Sequence, residues 1–139
     1  TVVTYDNLKE TTPVVAGIVL HDPESSAQYK VSAEKGYVTY ADPTDNPNNN
    51  NGTIFVGAIL PTAEDAKAVY FEEKEKNDLR GGADGHVLAI ADYTPGSELV
   101  YYWGAGWSKY GFDTIEDWNA YIDEEASLKS EPLTVSIIK

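Results

Sequence analysis

The chain has no cysteine and no methionine. Without thiols it can hold no disulfide, no zinc–thiolate site and no cysteine nucleophile. Any chemistry therefore falls to carboxylates, amines, hydroxyls and imidazoles. Positive charge is scarce as well: 10 Lys and Arg stand against 23 Asp and Glu, for a net charge of −13. Such a field repels phosphate polyanions, which argues against nucleic acid and membrane surfaces as partners. No apolar run approaches the ~20 residues needed to cross a bilayer. A natural reading frame opens with Met, so its absence leads us to expect a processed, excised or cleaved piece. A signal peptide removed upstream would leave no trace, and these residues neither show nor refuse secretion.

What is present suffices for a core. Of 139 residues, 42% are hydrophobic and 12% aromatic, which excludes wholesale disorder and fits one domain better than two. Short segments of β-branched and aromatic residues alternate with turn signals. Val14 to Leu20 is continuously apolar, as a strand buried on both faces would be. It stops at His21-Asp22-Pro23, where proline removes a ladder donor. Further strands are expected at Gly36 to Ala41, Thr53 to Leu60, His86 to Tyr93, Leu99 to Trp103 and Leu133 to Ile138. This spacing predicts a mainly β fold, an antiparallel β-sandwich.

One segment departs from it. Thr114 with Asp117 three places on is a relative of the capping box. Ile115, Trp118, Tyr121, Ile122 and Ala126 then share one helical face. Residues 114 to about 128 are expected to form one amphipathic helix near the C-terminus that covers a sheet face or edge. Two stretches read as loops. Asp42 to Gly52 is rich in Asn, Asp and Pro, and lacks the Asp/Asn ladder of a helix-loop-helix calcium site. Thr62 to Gly85 mixes charges of both signs and leaves open either a strand at Ala68 to Phe71 or a helical turn from Glu64.

The densest cluster is Val100 to Phe112, in which Tyr101, Tyr102, Trp103, Trp107 and Tyr110 surround Gly104-Ala105-Gly106. The small run lets a backbone bend or approach something closely. Trp107, with Tyr110 or Tyr102, offers a platform for a sugar ring, and Lys109 a partner for a carboxylate; alternatively these rings fill the sandwich core. Imidazole chemistry must use His21 or His86, each at a strand end where a scaffold presents side chains to a ligand. The plain alternative is two polar residues at strand edges. The acidic pairs Glu72-Glu73, Glu116-Asp117 and Glu124-Glu125 read as solvated surface. No phosphate loop, Gly-x-Ser-x-Gly elbow or paired-His metal motif occurs. No metal ligands and no cofactor can be assigned from the residues.

Three stretches resemble one bacterial family of unknown function. They are Ala16 to Pro23, Gly52 to Gly57, and Tyr101 to Lys109 with the following Asp117-Trp118. The string Gly104-Ala105-Gly106-Trp107-Ser108-Lys109 is the most specific of them. Members are sometimes labelled pectate-degradation proteins and are frequent in Bacteroidetes, in gene clusters that break down acidic plant or algal polysaccharides. The resemblance implies a β-sandwich, of the kind seen in the two-sheet supersandwiches of sugar mutarotases and many polysaccharide lyases. It also implies a periplasmic or extracellular location and an acidic oligosaccharide as partner. It transfers no catalytic residues. The family domain is longer than this chain, so residues 1–139 are expected to be a single sandwich domain or the C-terminal part of a larger one. In the latter case the N-terminal part of the same protein would be a partner.

The function expected is that of a carbohydrate-active domain for uronate-containing oligosaccharides of the pectin or ulvan type. His21 or His86 would serve as general acid or base, Lys109 would neutralise a uronate carboxylate, and Trp107 with Tyr102 would stack on a ring. The competing expectation is a non-catalytic sugar-binding or accessory structural module, a fragment of a larger polysaccharide-degradation protein.

Overall fold

The computed structural model describes residues 1–21, 28–43, 49–72 and 83–137. Nine strands are described: β1 (Val2–Val3), β2 (Thr12–Leu20), β3 (Tyr29–Ser32), β4 (Tyr37–Pro43), β5 (Thr53–Ile59), β6 (Asp65–Tyr70), β7 (Gly85–Tyr93), β8 (Leu99–Val100) and β9 (Tyr102–Trp107). The helix α1 (Ile115–Ser130) follows. All strand pairs are antiparallel. They form a three-stranded sheet in the order β2-β7-β6, a four-stranded sheet in the order β3-β4-β5-β9, and a small β1-β8 pair. The expected mainly β, sandwich-like architecture with a C-terminal helix is what the chain adopts.

Strand alternation builds the core. On β7, Val87, Ala89, Ala91 and Tyr93 point inward and are buried. They meet Ala16 and Leu20 of β2 and, from the opposite sheet, Val38, Tyr40 and Ala58. Small alanines at four of these positions let the layers approach closely around the large Tyr40 and Tyr93 rings. Tyr93 satisfies its buried hydroxyl by donating to the Ser97 carbonyl at 2.7 Å.

A second core lies on the other side of the four-stranded sheet. Here Tyr37, Ala41, Phe55 and Ile59 are buried against Trp118, Ile122 and Ala126 of α1. The helix starts as its sequence directs: Thr114 accepts from the Asp117 backbone N–H while Asp117 accepts from that of Thr114, a full capping box. Asp123 ties the helix to the sheet, accepting from the Tyr37 hydroxyl at 2.9 Å and from Lys35. Buried Thr39 finds Asn119 on the same helix.

Several expectations need correction. Val14 to Leu20 is a strand, but not one buried on both faces: Val15 is 54% exposed, because no layer covers the outer side of its sheet among the described residues. Leu133 to Ile138 is expected to be a strand, yet residues 133–137 belong to no strand among the described residues, and Ile138 lies outside them. Leu99 to Trp103 is interrupted at Tyr101, whose N–H turns to the Thr1 carbonyl. The strand resumes at Tyr102 and runs on to Trp107. Within the loop expected at Thr62 to Gly85, Asp65–Tyr70 is a strand on the edge of the three-stranded sheet, which resolves the open choice. Its charged residues Asp65 and Lys67 fall on the exposed face, which disguised the alternation. The loop expected at Asp42 to Gly52 begins later, since Asp42 and Pro43 complete β4, and residues 44–48 lie outside the described ones. Residues 73–82, which include Glu73, and the turn residues Asp22 and Pro23 also lie outside them.

Candidate functional site

At one end of the sandwich the register aligns three inner-face residues of the four-stranded sheet. Asp42 of β4 pairs with Ile54 of β5, and Ile54 with Trp107 of β9. At about 4.8 Å per strand step, Asp42 and Trp107 stand roughly 10 Å apart in one row. From the opposing sheet, His21 follows the last residue of β2 and reaches across this mouth, with Nδ1 at 2.9 Å from Asp42 Oδ2. The His21 backbone N–H donates to the Tyr40 hydroxyl at 3.4 Å. His21 and Asp42 are both partly exposed, so the pair is accessible from solvent.

This clasp fixes which nitrogen does what. In the neutral ring, Nδ1–H donates to the Asp42 carboxylate, leaving Nε2 as the free acceptor. A carboxylate behind an imidazole orients the ring. Beside the clasp, Tyr29 and Tyr70 join the two sheets through hydroxyls 2.7 Å apart. The Tyr29 hydrogen bond pushes the Tyr70 phenol up to about 12.

Trp107 and Lys109 wall the other side of the mouth. The Trp107 indole N–H donates to the Asn51 carbonyl at 2.7 Å, and Lys109 Nζ donates to that of Asn50. Ser108 accepts from the Thr53 N–H at 2.8 Å. Gly52, at φ +81°, sits where a Cβ would run into Ser108, Lys109 and Trp107, so glycine is what lets the two loops close on each other. Trp107 is 42% exposed, and with Lys109 and Tyr110 it borders a hollow of about 830 Å³. Lys109 uses one N–H on Asn50 and keeps others for a ligand.

The structure thus brings His21, Trp107 and Lys109 to one end of the molecule. It places the remaining two sequence candidates elsewhere. His86 lies on the outer face of the three-stranded sheet, between Val19 and Val69 in register, with its ring edge-on to Phe71 at 5.0 Å. Tyr102 is at the far end of β9 from Trp107, about 17 Å along the strand, and on the opposite face. There it borders a groove of about 430 Å³ against α1, with the Lys129 ammonium 5.3 Å above its ring.

The small run Gly104-Ala105-Gly106 does allow a close approach, and what approaches is α1. A Cβ at Gly106 would meet Trp118 at 3.1 Å and Phe112 at 2.8 Å, and one at Gly57 would meet Ile122 at 2.9 Å. These glycines floor a trough for the Trp118 indole, whose N–H donates to the Val56 carbonyl at 3.1 Å. Sequence reasoning missed Asp42, Tyr29 and Tyr70. Asp42 was readable as the third inward position after Val38 and Tyr40, but its Asp-Pro context reads as a turn. Among the described residues, no three His, Asp or Glu side chains converge as a metal site requires, and no helix is long and apolar enough to cross a membrane.

In comparison with protein families, residues 1–135 match the model described as Domain of unknown function (DUF4861). The match spans every strand described above and α1. Searches of curated proteins and of solved structures return no match.

Proposed function

This chain belongs to the DUF4861 family, and on that premise we propose that it is a carbohydrate-active domain for uronate-containing oligosaccharides of the pectin or ulvan type. We place it in the breakdown of acidic polysaccharides in the periplasm or outside the cell. The observation that carries the reading is the shared row at the sandwich mouth, with the His21–Asp42 clasp at one side and Trp107 at the other.

A uronate residue offers a flat ring face, a carboxylate and a carbon acid beside that carboxylate. The Trp107 face stacks on the ring. Lys109 pairs with the carboxylate and withdraws charge from the adjacent carbon. His21 Nε2, with Asp42 behind it, takes or returns the proton of a lyase, epimerase or hydrolase step. A net charge of −13 opposes long polyuronates, so short oligomers held at the local Lys109 charge suit the site better than polymer.

The test is turnover of pectic and ulvan-type oligomers by His21→Ala and His86→Ala. We expect His21→Ala to lose about 10²–10⁴-fold and His86→Ala to retain wild-type activity. Unchanged turnover in His21→Ala overturns the catalytic reading. A second reading, a non-catalytic sugar-binding module, draws on Trp103, which is 73% exposed at the β9 edge. Calorimetric binding without turnover would select it.

A further inference from the structure

Residues 132–137 read Pro-Leu-Thr-Val-Ser-Ile. Leu133, Val135 and Ile137 alternate with Thr134 and Ser136, the pattern of a strand with one dry face and one wet face. Yet the segment belongs to no strand, and those three side chains are 87–93% exposed. Exposed apolar strands are what folded chains avoid.

The same molecule contains a place such a strand would fit. β2 is nine residues long and forms an edge of its sheet. Opposite it, β9 overhangs with Trp103 and Ala105 facing inward. Between them lies a cleft of about 590 Å³, lined by Ala16, Ile18, Val56, Trp103 and Ala105 among others, and by no charged residue. A strand added beside β2 would set one face against Trp103 and Ala105 and hydrogen-bond its backbone to the open edge.

The tail leaves α1 on the other side of the four-stranded sheet from that slot. The last turn of α1 packs by Tyr102. Sheets stack about 10 Å apart, and the helix layer adds to that distance. Glu131 and Pro132, fully extended, span only about 7 Å.

We propose that residues 133–137 form a donor strand that pairs with β2 of a second copy of this chain, reciprocally, giving a two-fold dimer. Neither the donor segment nor the slot carries charge, so the interface escapes the repulsion that the net charge imposes on the rest of the surface. The slot uses none of His21, Asp42, Trp107 or Lys109, but it takes in Trp103, on which the non-catalytic sugar-binding reading draws, and Ala105, which also borders the hollow beside Trp107.

The test is light scattering of the 139-residue chain across a concentration series. The expected mass is twice the 15.2 kDa of one chain. Val135→Lys in the donor and Ala105→Arg in the slot should each give monomers with unchanged circular dichroism. Mixing the two variants should restore a dimer through the one intact strand–slot pair. Amide exchange at residues 133–137 should be slow in the wild type and fast in Val135→Lys. A wild-type monomer at all concentrations, a dimer indifferent to Val135→Lys, or a monomer whose tail amides are protected would each overturn the proposal.

Discussion

The outer faces of the two sheets are built from similar residues and end differently. On the four-stranded sheet, Tyr37, Ala41, Phe55 and Ile59 are buried under α1. On the three-stranded sheet, Val15, Val19 and Val69 are exposed. Both faces present apolar side chains at alternate positions, so alternation does not decide which face acquires a cover. Shape does. Gly57 and Gly106 leave a trough deep enough for an indole, whereas at Gly17 the space is taken from within the sheet, with Leu88 Cδ2 only 2.6 Å from where a Cβ would sit. Polar anchoring separates the faces too. Asp123 and Asn119 give α1 fixed partners in Lys35, Tyr37 and Thr39.

The contrast is broken most forcefully at Trp118. Trp118→Ala empties the trough and leaves the Val56 carbonyl without its indole donor, so we expect a loss of about 3–5 kcal/mol by urea unfolding. Val15→Thr, an apolar-to-polar change of similar size on the bare face, should stay within about 0.5 kcal/mol. Equal losses in the two variants would mean that the faces do not differ as described. Next in size is Gly106→Ala, which pushes a methyl into Trp118 and Phe112. Over-packing of this kind costs about 1–3 kcal/mol, read as a lower melting temperature.

Much of this contrast was legible in the sequence, and part of it was not. The helix could be read because Thr114 and Asp117 mark its start and Trp118, Ile122 and Ala126 recur at helical spacing. The strands from Thr53 and from His86 could be read from β-branched runs closed by turn residues. Tyr29–Ser32 escaped because four residues are too few to show a period. The apolar run at Val14 misled because an apolar residue reports what it tolerates, not what covers it. At the mouth, His21, Trp107 and Lys109 stood out by type alone. Their assembly into one end depends on the pairing of Asp42, Ile54 and Trp107, a register among strands far apart in sequence that no local pattern encodes.

A gentler probe of the helix-covered face is pH. Hydrogen bonds from Lys35 and then Tyr37 hold the Asp123 carboxyl below its ordinary 3.8. A depressed folded-state value means that the clasp's contribution is present above the ordinary carboxylate range and is lost as pH falls through the folded value. The clasp is near the surface, so Asp123→Asn should cost at most about 1 kcal/mol at pH 7. The gap between variant and wild type should close as the medium is acidified toward pH 2. A gap that persists there would show that Asp123 acts through packing and not through charge.

The three tryptophans sample three environments. Trp107 stands across the mouth from the His21 clasp, Trp103 on the exposed edge of β9, and Trp118 on the buried face of α1. Titrating an oligouronate into nitrogen-15-labelled protein and following the three indole N–H signals reads out directly where a sugar sits. Trp107 is expected to shift together with the His21 ring while Trp118 and His86 stay still. Shifts confined to Trp103, or none at any saturating concentration, would contradict a sugar site at the mouth.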